Sequence, residues 1–382
     1  MTWVGFLGLI LSLAAYPFSA ASKSRGGPLL FGAILFAHLA ATAYYYSWQE
    51  TANSDAPFYY YDFVGYYGAG FALNTTFVIY FVQFLRDLIG GTFFDYFLLF
   101  QASGFWAMIF IWKIFNEIYQ DLGLEQPVWT YVLLFLPSLH FFTTPIGKDG
   151  PLVLGSAMAV WAAIRIRQRY LAFALAVFIM VLFRPHIGFV AVSCLALALV
   201  IDSNIKTSVR ISLVALALVG LTIVAGTLRT TFAVDVTSAE SVGTFFSAQS
   251  EIAQQFTEGS AVLDASYPVR LFSLLFRPFF LDMLDSGGLG LIASIENLMM
   301  AILFITFAVN AGNLYRLSRQ FFYVRYALFF SFALIVLLSL VYYNVGLGLR
   351  QRTMVFPALL CMYVTIRAHV ARSRRTLTPR LI

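Results

Sequence analysis

Apolar runs of membrane-span character occupy most of this chain, and they leave few folds open to it. They fall near 3–19, 28–48, 94–114, 127–144, 150–165, 170–184, 186–201, 210–228, 290–311, 325–344 and 353–367. A bilayer core takes a helix of about 20 residues. Inside lipid every backbone amide must find its partner within its own segment, so such runs become helices. The pattern predicts an all-α polytopic membrane protein with about 11 transmembrane helices, one transmembrane domain over residues 1–382. Composition agrees: 60% of residues are hydrophobic and 11% charged, against roughly 45–50% and about 25% in soluble domains. A soluble enzyme with an added anchor is excluded on that ground. Several runs are short for a span, and the pair around Arg184-Pro185-His186 reads either as two spans meeting at the surface or as one broken helix.

Basic residues set the expected orientation, because Lys and Arg in short loops stay in the cytoplasm. Alternate connections are basic: Lys23/Arg25, Arg165/Arg167/Arg169, Lys206/Arg210, Arg316/Arg319/Arg325 and the tail from Arg367 to Arg380, with a weaker one carrying Lys113, Glu117, Asp121 and Glu125. This places the N-terminus outside and the C-terminus in the cytoplasm. No basic n-region precedes the first run, so it reads as a retained span rather than a cleaved signal. The net charge of +6 is topological and does not point to nucleic acid. Cys194 and Cys361 lie in apolar runs and are expected as core thiols without a disulfide.

Two long segments face outward on this reading. Residues 49–93 hold "SDAPFYYYDFVGYYGAG" and then an apolar stretch ending in Arg86-Asp87, expected as an interfacial helix. Residues 229–289 begin polar and return through "YPVRLFSLLFRPFFLDMLDSGGLG", expected as an amphipathic or re-entrant element. No internal repeat is visible, unlike transporters built from inverted halves.

Eight basic residues fall on the disfavoured outer side: Arg86, Lys148, Arg184, Arg229, Arg270, Arg277, Arg350 and Arg352. Several abut apolar runs, in "PIGKDGPLVL", "VLFRPHIGFV", "SLLFRPFFL" and "GLGLRQRTMVF". A cation there needs an acidic partner or an anionic ligand. The donor fork of Arg suits phosphate oxygens. The plainer reading is snorkelling anchors and structural ion pairs. Pro145, Gly147 and Gly150 around Lys148-Asp149 predict a tight outward turn, with Asp149 as the simplest partner for Lys148. Asp55 and Asp62 flank Tyr59, Tyr60 and Tyr61, a grouping that serves either as an interfacial aromatic belt or as a sugar platform beside a base. His140 reads as a packed helix histidine and His38 as a mid-span one. There is no Walker loop, no dinucleotide fingerprint, no HExxH and no adjacent DxD pair. No cofactor and no tightly bound metal are implied.

The order of elements, together with "LPSLHFFTTPIGKDG", "FRPHIGF", "LFRPFFLDMLDSGGLGLIASIENL" and "GLGLRQRTMVFPALL", resembles bacterial exopolysaccharide and O-antigen polymerases of the EpsG-like and Wzy-like type. These sit among the GT-C-like integral-membrane glycosyltransferases. An outward N-terminus and the separated Asp55 and Asp62 differ from the dolichol-sugar-using branch and favour the polymerase type. The resemblance implies an inner-membrane enzyme facing the periplasm. Its donor would be an oligosaccharide on undecaprenyl diphosphate, its acceptor a hydroxyl of another lipid-linked repeat, and its surroundings membrane lipid and other polysaccharide-assembly proteins. A base for the hydroxyl is expected in Asp62, Asp55 or His186. A cationic clamp for the leaving diphosphate is expected in Lys148, Arg184, Arg277, Arg350 and Arg352, oriented by Asp149 and Glu296. Tyr60 and Tyr61 would meet the sugar. A lipid-linked saccharide flippase, or a ligase using the same donor, would share these charges.

Overall fold

The 29-residue helix α5, Phe93–Asp121, is the post of the bundle. In the computed structural model the described residues are 2–19, 26–50, 54–201, 266–278, 287–341 and 345–377, with 208, 211, 214, 215, 238, 240, 241 and 244. Thr92 and Asp95 start α5 with a reciprocal capping box. Asp95 also accepts from the Thr2 amide and hydroxyl, at 3.0 and 2.9 Å, which ties the chain start to the same end. We call this the upper end.

Every regular element among the described residues is helical. Helix α1, Trp3–Leu13, descends beside α5, with Gly8 against Leu98 and the Trp106 indole donating to the Leu11 carbonyl. Helix α2, Gly27–Trp48, climbs back, setting Phe31 on Phe105 and Tyr46 on Phe94. The short helix α3, Ala56–Tyr61, and α4, Thr75–Ile89, sit at the upper end. At 15 residues α4 is about 22 Å long, too short to cross. After α5 come α6, Trp129–Val132, one 3-10 turn, and α7, Pro137–Phe142. Helix α8, Asp149–Ile164, descends beside α5, α9, Ile166–Phe183, climbs, and α10, Pro185–Val200, descends again. The remaining helices are α11, Tyr267–Phe276; α12, Gly287–Val309; α13, Ala311–Gln320; α14, Phe322–Val341; α15, Val345–Arg352; and α16, Phe356–Leu377.

Five of these are long and apolar enough to cross a membrane: α2, α5, α9, α14 and the Ile292–Val309 part of α12. The pair α15 and α16, bent by 59°, makes a sixth if taken as one span. The expected runs at 3–19, 127–144, 150–165 and 186–201 contain shorter helices. The run at 127–144 is not one helix. Pro137 disfavours helical backbone at the residue before it, and Leu136 swings to ψ 120°. The Arg184-Pro185 question resolves into two helices. Arg184 is extended at φ −151°, Pro185 opens α10, and Gly188 packs on Val181 and Val177 of α9. Nearly all of 210–228 and much of 229–289 lie outside the described residues.

The lower end holds charge in pairs. Arg165 meets Asp121 at 2.9 Å, and Arg169 meets Glu117 at 2.8 Å while covering the Trp161 ring. Arg367 lies over Trp129 at this end.

The turn before α8, expected at the outer face, does not lie level with the start of α5. Gly150 and Gly104 are neighbours, so α8 begins well down α5, roughly 16 Å below Phe93 at about 1.5 Å per residue. Small residues permit this close crossing. A Cβ at Gly104 would stand 2.3 Å from the Thr143 hydroxyl and 2.6 Å from its carbonyl oxygen. Gly104→Leu is therefore expected to cost at least about 1–3 kcal/mol, read as a lower thermal midpoint in detergent. Gly32→Ala, with open space around its Cβ, should leave the midpoint unchanged or slightly raised.

Candidate functional site

The recessed turn gathers charge from four separate parts of the chain. Residues 143–148 bend, and Lys148 takes the position before the first turn of α8. Asp149 opens that helix, where a carboxylate faces the positive end of the dipole. Lys148 and Asp149 are adjacent in sequence but bond to different partners, since successive side chains at a helix start point about 100° apart. The Lys148 ammonium donates to Asn74 Oδ1 at 3.1 Å and to Thr75 Oγ1 at 2.9 Å, at the beginning of α4. Asp149, 1% exposed, receives Arg350 Nε from α15. Arg350 Nη1 reaches on to Asp55 Oδ2 at 2.6 Å. The simplest expectation, Asp149 as partner of Lys148, is thereby corrected.

Arg184 completes the group. The Asn74 amide donates to the Leu182 carbonyl at 3.0 Å and Phe77 packs on Phe183, which stitches α4 to the end of α9 beside Arg184. The Arg184 charge acts with Asp149, Arg350, Tyr59 and Asp55. Among the described residues nothing accepts a hydrogen bond from its guanidinium. Tyr59 closes the floor, its ring 3.4 Å from where a Cβ on Gly147 would lie. Three cations thus face two carboxylates, and one oxygen of Asp149, Oδ1, is buried without a partner.

The electrostatics follow. Burial, helped by Arg184, pushes the Lys148 ammonium down to about 8, against the pull of Asp149. Burial alone would raise the Asp55 carboxyl. The charge and hydrogen bond of Arg350, with Lys148 and Arg184, overcome that and hold it below the usual carboxylate range.

Other expected site residues lie elsewhere. Asp62 is committed to its own loop: at φ 48° its two oxygens accept from the Tyr66 and Tyr67 amides at 2.8 and 2.9 Å. A carboxylate used as a turn cap has both oxygens occupied, so the structure puts Asp55, not Asp62, in the cluster. Tyr60 lies under Arg86 and donates to the Gly91 carbonyl, while exposed Tyr61 stacks on Phe63. His186 is exposed on the first turn of α10 and makes no side-chain hydrogen bond among the described residues. Glu296 and Arg352 form a separate, deeper pair at 3.1 Å. Glu296 also accepts from the Ser138 amide, and Arg352 donates to the Leu275 carbonyl. Arg277 follows α11 two residues beyond that carbonyl. The sequence reading missed Asn74 and Thr75, which offer only a helix-start pattern, and did not single out Tyr59 from its neighbours.

A cavity of about 960 Å³ runs between α2, α7, α12 and α15. Its wall is largely apolar, with Ala37, Ala41, Tyr44, Phe141, Ile292 and Leu349 among its lining. Leu349 of this lining immediately precedes Arg350 in α15. Comparison with protein-family models, with curated proteins and with solved structures gave no match to the chain.

Proposed function

We propose that the protein is a membrane glycosyltransferase, a repeat-unit polymerase that uses a polyprenyl-diphosphate-linked donor at the outer leaflet of the bacterial inner membrane. The upper end of the bundle would face the periplasm, with about 11 crossings in all. The observation that carries this reading is the half-buried Arg184 guanidinium, with no hydrogen-bond acceptor among the described residues, in one cluster with Lys148. An anionic head group would suit this cluster, and the apolar cavity lined in part by α15, the helix that carries Arg350, would suit a long apolar tail.

In this mechanism an acceptor hydroxyl attacks the anomeric carbon of the donor. The new C–O bond forms as the bond from that carbon to the phosphate oxygen breaks, and polyprenyl diphosphate leaves with the electron pair. Lys148 and Arg184 bear on the developing negative charge, in a site where a fixed donor acts strongly. Arg350 is held by two carboxylates and orients Asp55. Asp55 Oδ1 takes the hydroxyl proton.

Purified protein given only the lipid-linked repeat should form longer glycan and release polyprenyl diphosphate. Movement of the donor across the bilayer without bond formation would identify a flippase and sink the proposal. Transfer only to a chemically different acceptor would identify a ligase.

The Lys148 charge adds a pH test. A base with its folded value lowered to about 8 is charged below that pH and neutral above it. Donor affinity is expected to fall as pH rises through about 8, seen as a rising KM. Lys148→Arg, charged throughout this range, should remove that alkaline limb. In the unliganded protein the sign is opposite. The unfolded chain holds the proton up to about 10.4, so this residue contributes stability that grows between about pH 8 and 10.

A further inference from the structure

His38 of α2 and His140 of α7 meet in the bundle interior, 0% and 5% exposed. Their Nδ1 atoms are 3.1 Å apart. Each ring's other nitrogen faces a backbone carbonyl: His38 Nε2 lies 3.0 Å from the Gln101 oxygen and His140 Nε2 lies 2.8 Å from the Leu134 oxygen. A carbonyl only accepts, so both Nε2 atoms must carry hydrogen to make these bonds. In two neutral rings both Nδ1 atoms would then be bare, and two lone pairs would point at each other at hydrogen-bonding distance. A single further proton between them makes all three contacts favourable. The alternative neutral arrangement leaves one Nε2 lone pair against a buried carbonyl, which forfeits a hydrogen bond and adds repulsion.

A metal ion is the other cation that could lie between two imidazoles. It fits less well. Two nitrogens on opposite sides of zinc at about 2.0–2.1 Å would stand roughly 4 Å apart. A tetrahedral chelate would need further ligands, and no group of three His, Cys, Asp or Glu suited to a metal occurs among the described residues.

We propose that His38 and His140 form a proton-binding site that takes up one proton, shares it between the two Nδ1 atoms, and thereby locks α7 to α2. The surroundings supply no other charge, so the proton would be held by the two imidazoles and the two carbonyls alone. On the α5 side the rings meet Gln101 and Phe105, and on the 3-10 turn they meet Leu134 and Phe135. On α2 the Thr42 hydroxyl is spent on the His38 carbonyl. No carboxylate or cation of the described residues acts on either ring except the other imidazole. Phe135 stacks on His140 and presents a π face to the positive ring. His140 also lines the 960 Å³ cavity. The site does not depend on the transferase reading.

The chain has four histidines, so selective nitrogen-15 labelling gives four rings to follow by NMR in detergent. Two rings should keep protonated Nε2 atoms throughout. Their Nδ1 signals should move together with one shared proton, and a coupling should connect the two nitrogens. In His140→Gln that coupling should vanish and the joint titration should be lost. Two bare, uncoupled Nδ1 signals at every pH where the protein stays folded would overturn the proposal. So would metal analysis that finds one bound ion per chain. The wild-type spectrum decides the matter even if the variant fails to fold.

Discussion

On the proposed function, Arg184→Ala should lower glycan transfer by roughly 100- to 1000-fold, the loss typical of one preorganised donor to a developing charge, while the protein stays at least as stable as before. The two halves of this result belong together. Arg184 has no hydrogen-bond acceptor among the described residues, and burial, the largest influence on it, makes its surroundings unfavourable to the charge. Its removal therefore breaks no bond of the fold. A residue that burdens the folded state and serves only a ligand shows the familiar opposition of stability and function. The measurement pairs polymer formation by purified enzyme with the thermal midpoint in the same detergent. Activity retained in Arg184→Ala would remove this residue from the donor site. A midpoint lowered by several degrees would make it a structural residue instead.

Glu296→Ala should do the reverse, costing about 3–5 kcal/mol of stability because it leaves the Arg352 guanidinium without its carboxylate partner in the bundle interior. Both side chains are at most 1% exposed, and the same carboxylate also holds the Ser138 amide at the start of α7. The thermal midpoint should fall sharply, and Glu296→Leu combined with Arg352→Leu should recover much of it, since an apolar pair of similar size often replaces a buried ion pair without net loss. If Glu296→Ala melts like the wild type, the pair is not the clasp described above. Because Arg352 is already engaged by Glu296 and the Leu275 carbonyl, it belongs with this clasp rather than with Lys148 and Arg184.

Much of the helical architecture could be read from the chain, because apolar runs and prolines act locally. Arg184-Pro185 marked a helix boundary, and Pro145 with Gly147 marked a turn. The depth of that turn could not be read. It depends on Gly104 and Gly150 letting two helices touch, a contact between residues 46 positions apart. Pairing was harder still. Lys148 and Asp149 look like partners on paper, yet Asp149 bonds a residue 201 positions away and Asp55 one 295 away. Asp62 and Asp55 are indistinguishable as letters. Only the left-handed backbone at Asp62, which turns its carboxylate onto its own loop, separates a turn cap from a site residue. The two histidines were assigned no role in the sequence because each sits alone in an apolar run. Their meaning arises where α2 and α7 touch.

The recessed position of Lys148 also has an electrical side. An energised membrane drops its voltage across its low-dielectric core, and a full crossing is worth about 2.3 kcal/mol per charge at 100 mV. If the upper end faces the periplasm as proposed, an anion that travels down to the level of Gly104 would pass through part of that drop. Its occupancy beside Lys148 and Arg184 would then vary with the membrane potential. A cell's energy state would tune such a site directly, with no regulatory ligand involved.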